Sequence, residues 1–148
     1  MKFALALCVL AGAQTGALAQ TVLESDFTIS VPTSSGQPIV ESSTLVPLLA
    51  GTCFDWHLKL GKTKGVVLVT ETYHLPAPPE VWDLAEGSLI TVSDDGRSAV
   101  TILSMTPEDG WISSGWCVSD GDPPGPYRFD IEANGAALAS FDFEIRTF

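Results

Sequence analysis

The feature that most narrows the fold is alternation. Asp26-Phe27-Thr28-Ile29-Ser30-Val31 sets Phe27, Ile29 and Val31 on one side of an extended chain, and Phe54, Trp56, Leu58 and Leu60 repeat the pattern. A period of two sends successive side chains to opposite faces, so each stretch reads as a strand with one face to bury. Residues 66–69 are apolar on both faces, as in a central strand. Residues 89–92, 99–103, 111–118 and 127–131 continue the series, and Phe141, Phe143 and Ile145 finish it. Turn signals separate them: Ser34-Ser35-Gly36, Gly61, Asp95-Gly96, Glu108-Asp109-Gly110, residues 120–126 and Asn134-Gly135. About eight short strands at this spacing predict an all-β antiparallel sandwich or barrel. One short helical turn is expected in the longest loop, over residues 79–87, with Pro at its start and Gly at its end.

The start of the chain predicts an address. Met1-Lys2 is a minimal positive segment, residues 3–11 are apolar, and Ala17-Leu18-Ala19 offers a small-residue cleavage site. The apolar run is far shorter than the ~20 residues a membrane-crossing helix needs, because Gln14, Thr15 and Gly16 interrupt it. Residues 1–19 are therefore expected to be a secretory signal peptide, and residues 20–148 one domain beginning at Gln20 and acting in the periplasm or outside the cell. Two cysteines then remain, Cys53 and Cys117, and in an oxidising compartment they are expected to pair. Both are out of phase with their inward-facing neighbours, so the bridge should join neighbouring strands, or a strand and a loop, on an outer face. An antibody-type domain instead buries its bridge between the sheets.

The last hairpin is open to two registers. A two-residue Asn134-Gly135 turn pairs Phe129 with Ser140 and Tyr127 with Asp142, setting aromatics opposite polar groups. A three-residue Ala133-Asn134-Gly135 loop pairs Ile131 with Ala137, Phe129 with Ala139 and Tyr127 with Phe141, all apolar, and is the register expected.

The stretch from Trp116-Cys117-Val118 through Asp120-Gly121-Asp122 to Tyr127-Arg128-Phe129-Asp130-Ile131, with Asn134-Gly135 and Phe141-Asp142-Phe143-Glu144-Ile145, resembles the end of many exported bacterial immunoglobulin-like domains. It is similar in particular to small periplasmic families of unknown function. The resemblance implies an immunoglobulin-like sandwich and carries no functional residues with it.

Charge excludes some functions. Seven Lys and Arg stand against 18 Asp and Glu, a formal −11, and loss of Lys2 with the leader makes the mature chain more negative still. Nucleic-acid binding requires a basic footprint, so no nucleic-acid partner is expected, and no second stretch is long enough to span a membrane. Metal binding has only weak candidates. Asp55 and His57 share a strand face with Cys53, and Asp120 and Asp122 place oxygens in a turn where calcium could sit. Neither set completes a ligand series, and Asx residues form turns without a metal. No nucleophile elbow is present, and no cofactor is expected. The connection from Tyr73 to Trp82, with Pro76, Pro78 and Pro79, is a stiff segment that presents Tyr73, His74 and Trp82 to a partner or folds back as a lid.

The expectation is thus a non-catalytic binding or accessory module, its partner a basic envelope protein drawn by the negative field. The alternatives are a structural subunit pairing through the segment from Thr21 to Val31, an inhibitor of a basic enzyme such as lysozyme, and a metal carrier using His57. The oligomeric state stays open.

Overall fold

The structure is a computed structural model that describes residues 19–82, 84 and 86–148. The expected leader, Ala19 excepted, lies outside the described residues. Ten strands are present: β1 (Val22–Val31), β2 (Ile39–Ser42), β3 (Leu45–Pro47), β4 (Cys53–Leu60), β5 (Val67–His74), β6 (Ile90–Val92), β7 (Ser98–Met105), β8 (Trp111–Cys117), β9 (Gly125–Ala133) and β10 (Ala136–Arg146). They form two sheets, ordered β2-β1-β4-β8 and β3-β10-β9-β5-β7-β6. No helix of the described residues is long and apolar enough to cross a membrane.

The alternating residues meet between the sheets. Phe27, Ile29, Phe54, Trp56 and Leu58 of one sheet face Val69, Tyr73, Phe129, Ile131, Phe143 and Ile145 of the other, all buried. Burying each such side chain is worth about 1.5–3 kcal/mol. The aromatic rings interlock further, with centroids 4.9 Å apart for Phe27 and Phe143, 5.0 Å for Phe54 and Phe143, and 4.8 Å for Tyr73 and Phe129. At one end Tyr127 donates its hydroxyl to the Pro123 carbonyl at 2.6 Å, tying the strand to the turn before it as in other β-sandwiches.

Two strands were not expected. β2 and β3 are one extended segment that changes sheets at Ser43-Thr44. Ser43 N donates to Phe27 O in the first sheet, and Thr44 O accepts from Glu144 N in the second. The β3–β10 pair is parallel, the exception among antiparallel neighbours. A strand that switches layers closes the seam between sheets on its side. On the opposite side β8 ends one sheet and β6 the other, and no strand of the described residues bridges them.

Three expectations need correction. Residues 79–87 form no helix among the described residues, Asp83 and Ala85 not being among them; Glu86 and Gly87 sit in a turn. Pro76 and Pro78 before this segment, Pro79 at its start and Gly87 at its end leave too short a run to nucleate a helix. The last hairpin has neither expected register. Its turn is the two-residue Asn134-Gly135, at φ 51° and 78°, as positive-φ hairpin turns require. A bulge between Ala137 and Ala139 then shifts the ladder, so that Phe129 faces Phe141 and Tyr127 faces Phe143. One extra residue thus matches apolar to apolar without the three-residue loop. Finally, the segment from Thr21 to Val31, offered for pairing with a neighbour's sheet edge, is covered on both sides over its second half, which leaves only its first half open to such pairing. β1 pairs with β4 from Val22 to Ser30, and with β2 over Thr28–Val31.

Cys53 and Cys117 are joined by a disulfide between directly opposed residues of β4 and β8. Their Cα atoms are 3.9 Å apart, the close spacing of a non-hydrogen-bonded antiparallel pair, and the sulfurs lie on the outer face. Two residues along β8, a Cβ at Gly115 would collide with the Phe54 carbonyl oxygen and the Asp55 side chain. Asp55 thus packs where β8 has no side chain.

The double variant Cys53→Ala/Cys117→Ala is expected to lose about 2–4 kcal/mol in urea unfolding, since the bridge closes a long loop of the unfolded chain. Gly115→Ala forces backbone to move and is expected to cost about 3 kcal/mol in the same assay.

Candidate functional site

β5 brings a carboxylate into the core. Its inward positions are Val67, Val69, Glu71 and Tyr73, and Glu71 is 1% exposed. A charge there is tolerable only if its oxygens are hydrogen-bonded. Trp56 of β4 donates its indole Nε1 to Oε2 at 2.6 Å, and Trp116 of β8 donates to Oε1 at 2.7 Å. One residue of the second sheet therefore holds two strands of the first. Burial pushes the Glu71 carboxyl above its ordinary 4.5, and hydrogen bonds from Trp116, Trp56 and Ser114 offset part of that. Glu71 is not among the residues that the sequence pattern marks out. Its parity with Val67 and Val69 was the available signal, once the strand is continued past residue 69.

The aromatic trio expected on the proline-rich connection is divided. Tyr73 is not on the connection but inside β5, 4% exposed, stacked on Trp116 at 4.9 Å and on Phe129. Burial first, then the neighbouring Tyr127, Asp122 and Glu71, hold its hydroxyl well above the ordinary value. His74 ends β5 on the outer face, where its Nε2 lies 2.9 Å from Asp130 Oδ2. Burial raises the Asp130 carboxyl, but bonds from Ser140, Arg128 and His74 outweigh it and hold it low. Trp82 alone lies on the connection. It is half-buried and meets Tyr73 and Trp116 edge-on, with centroids 6.5 Å and 6.0 Å away. It caps the end of the sandwich over a cavity of about 170 Å³ bordered by Tyr73, Leu75, Trp116 and Asp122. The Trp82 Nε1 is buried there without a hydrogen-bond partner.

The metal candidates are not brought together. Among the described residues no three His, Cys, Asp or Glu side chains converge. His57 Nε2 shares a 2.8 Å hydrogen bond with Thr28 Oγ1. Asp55 lies on the same face beside the disulfide, its carboxyl raised by burial and lowered in part by His57. Asp122 Oδ2 accepts from Ser119 N at 2.8 Å and closes the turn before β9, while Asp120 is exposed.

Below its unfolded-state value near 4.5 Glu71 is protonated whether folded or not. From there up to its raised folded value the native state holds the extra proton, so stability falls as pH rises, then levels. Glu71→Gln titrates at every other group as the wild type does. The stability of wild type minus that of Glu71→Gln, by urea unfolding from pH 4 to 8, is expected to decline with rising pH; a difference that grows contradicts the assignment. Glu71→Leu strands two indole N–H groups and is expected to cost about 2–4 kcal/mol.

The comparisons with known proteins bear on the fold. An immunoglobulin-like protein from Pseudomonas aeruginosa superposes with a TM-score of 0.59 at 21% identity, over 91% of this chain and 100% of that one. The Pseudomonas fluorescens alkylpurine DNA glycosylase AlkC aligns with a TM-score of 0.44 at 15% identity, covering 89% of this chain and 32% of that chain. No curated protein matches in sequence. The first likeness makes the two-layer architecture an immunoglobulin-like β-sandwich, and the family model of the PM0630 beta sandwich domain matches residues 25–146. This chain belongs to the PM0630 beta sandwich domain family.

Proposed function

We infer that this protein is a non-catalytic binding or accessory module of the cell envelope or exterior, acting through its surface. The observation that carries the reading is the commitment of its reactive side chains to structural bonds. The buried carboxylate, Glu71, gives one oxygen to each of two indoles. His57 is bonded to Thr28 and His74 to Asp130. Acid–base or nucleophilic chemistry needs such groups aimed together at a cleft, whereas here each is fastened to its own neighbour. The disulfide is consistent with an oxidising compartment, and the leader-like residues 1–19 supply a route there. The acidic balance favours a basic partner.

The test has two arms. Immobilised folded protein is expected to retain a defined protein from envelope extract, and the same protein unfolded and alkylated is expected not to. Purified protein is expected to turn over nothing on a panel of esters, glycosides, peptides and phosphates. Turnover on the panel that Glu71→Gln or a histidine variant abolishes would overturn the reading.

A further inference from the structure

We propose that the free edge of β8 is a docking strand, and that it takes up an extended segment of another protein, neutral in the middle and carrying Lys or Arg at both ends. This rests on the binding-module reading and names the site within it.

The four sheet edges are unequal. β2 has four residues and includes Glu41, β3 has three and ends at Pro47, and β6 has three. Short length, charge and proline are the usual means of keeping an edge from pairing. The part of β1 that β2 leaves uncovered carries Glu24 and Asp26. β8 has none of these protections. Its seven residues, Trp-Ile-Ser-Ser-Gly-Trp-Cys, contain no charge and no proline, in a chain of formal charge −11.

The ladder shows which backbone groups are offered. Leu60 N donates to Gly110 O at one end of the β4–β8 pair, and Val118 N to Thr52 O at the other. Alternate residues of an antiparallel strand bond the same neighbour, so Ile112, Ser114 and Trp116 are spent on β4. Ser113, Gly115 and Cys117 direct N–H and C=O groups away from it, toward a side where no strand of the described residues lies. Trp111, the remaining alternate residue, is closed off by its mutual bonds with Glu108. Gly115 has no side chain to obstruct an incoming backbone.

Beside this edge the seam between sheets is open, and hollows follow β8 along it. One borders Trp111–Ser113 and Met105. The next borders Ser114–Cys117, Ile90 and Thr101, with Glu71 at its base, and Thr101 Oγ1 is buried there without a partner. The last is the cavity under Trp82. An added strand sends alternate side chains into such hollows while its backbone pairs with the edge.

Charge selects the occupant. Glu108 and Asp109, both exposed, lie just before β8, and Asp120 and Asp122 lie just after it. One nearby cation, Lys59, sits over the Trp111 ring and is paired with Glu24 at 3.0 Å. A second copy docked antiparallel on β8 would bring each acidic end against the other copy's acidic end. A segment with basic ends meets opposite charge at both.

The experiment uses the oxidised full-length protein and a synthetic peptide of alternating Val and Thr with two Lys at each end. Binding is read by amide hydrogen exchange and NMR shifts. Protection is expected at Ser113, Gly115 and Cys117, with affinity at least about tenfold weaker for the same peptide ended in Glu, and weaker again in high salt. The Lys-ended peptide N-methylated at alternate residues is expected to lose binding, which tests backbone pairing without altering the protein. Ser113→Pro, checked for folding by its thermal transition, is expected to lose it too. No binding, equal binding of the Glu-ended peptide, or shifts confined elsewhere would overturn the proposal. So would protection of the same amides by self-association without peptide. If envelope extract yields a partner whose binding leaves these three amides unprotected, the edge is wrong while the binding-module reading stands.

Discussion

A carboxylate sunk between two β-sheets is the constraint around which this sandwich is organised. Apolar contacts between layers are non-directional and tolerate sliding, whereas the two indole bonds to Glu71 have fixed geometry. Trp56 and Trp116 come from adjacent strands of one sheet and Glu71 from the middle of the other, so the pair of bonds sets one sheet against the other in a single alignment. A buried, half-satisfied carboxylate would cost several kcal/mol, which penalises every other alignment. The consequence spreads along the open seam: Trp116, fixed by Glu71, stacks on Tyr73, and Trp82 closes edge-on against both.

The two seams are built on opposite principles. On one side a single segment leaves the first sheet at Ser43 and enters the second at Thr44, so the chain itself spans the layers, bonded to Phe27 in one and to Glu144 in the other, and the edges on that side are the short strands β2 and β3. On the other side the layers end on β8 and β6, and cohesion passes to side chains: the Glu71–indole bonds, the aromatic cap and the disulfide that pins β8 to β4. The disulfide belongs to this logic. β8 has a neighbour on one side only, so a covalent tie to that neighbour adds to a ladder that secures the strand along one edge alone.

Much of this was legible in the residues. Alternation placed Phe27, Phe54, Trp56, Phe129 and Phe143 inward because a strand with one buried face must repeat every two residues. The same parity put Cys53 and Cys117 outside, where they are bonded. What escaped had a different cause in each case. β2 and β3 are short, exposed and broken by Ser43-Thr44, so neither has a run of alternation to detect. The bulge at residues 137–139 inserts a residue whose only signature is that both regular registers look imperfect. Glu71 and Tyr73 were lost together, because Thr70-Glu71-Thr72 reads as the polar end of a strand. Continuing the parity from Val67 and Val69 makes one a buried acid and the other a core aromatic.

The candidate site was less legible than the fold for a reason rooted in the kind of site it is. Searches for function by residue type look for imidazoles, thiols and carboxylates, and here those groups are absorbed: His57 by Thr28, His74 by Asp130, the thiols by each other and Glu71 by tryptophan. What the fold leaves over is backbone. An unpaired N–H belongs to no residue type and forms no motif, and whether it is free depends on which strand ends the sheet. That is fixed by the pairing of β4 with β8 over 53–59 and 111–117, a long-range fact. Composition contributes only the negative sign, the absence of charge between Trp111 and Cys117, and that absence gains meaning once the strand is known to be an edge.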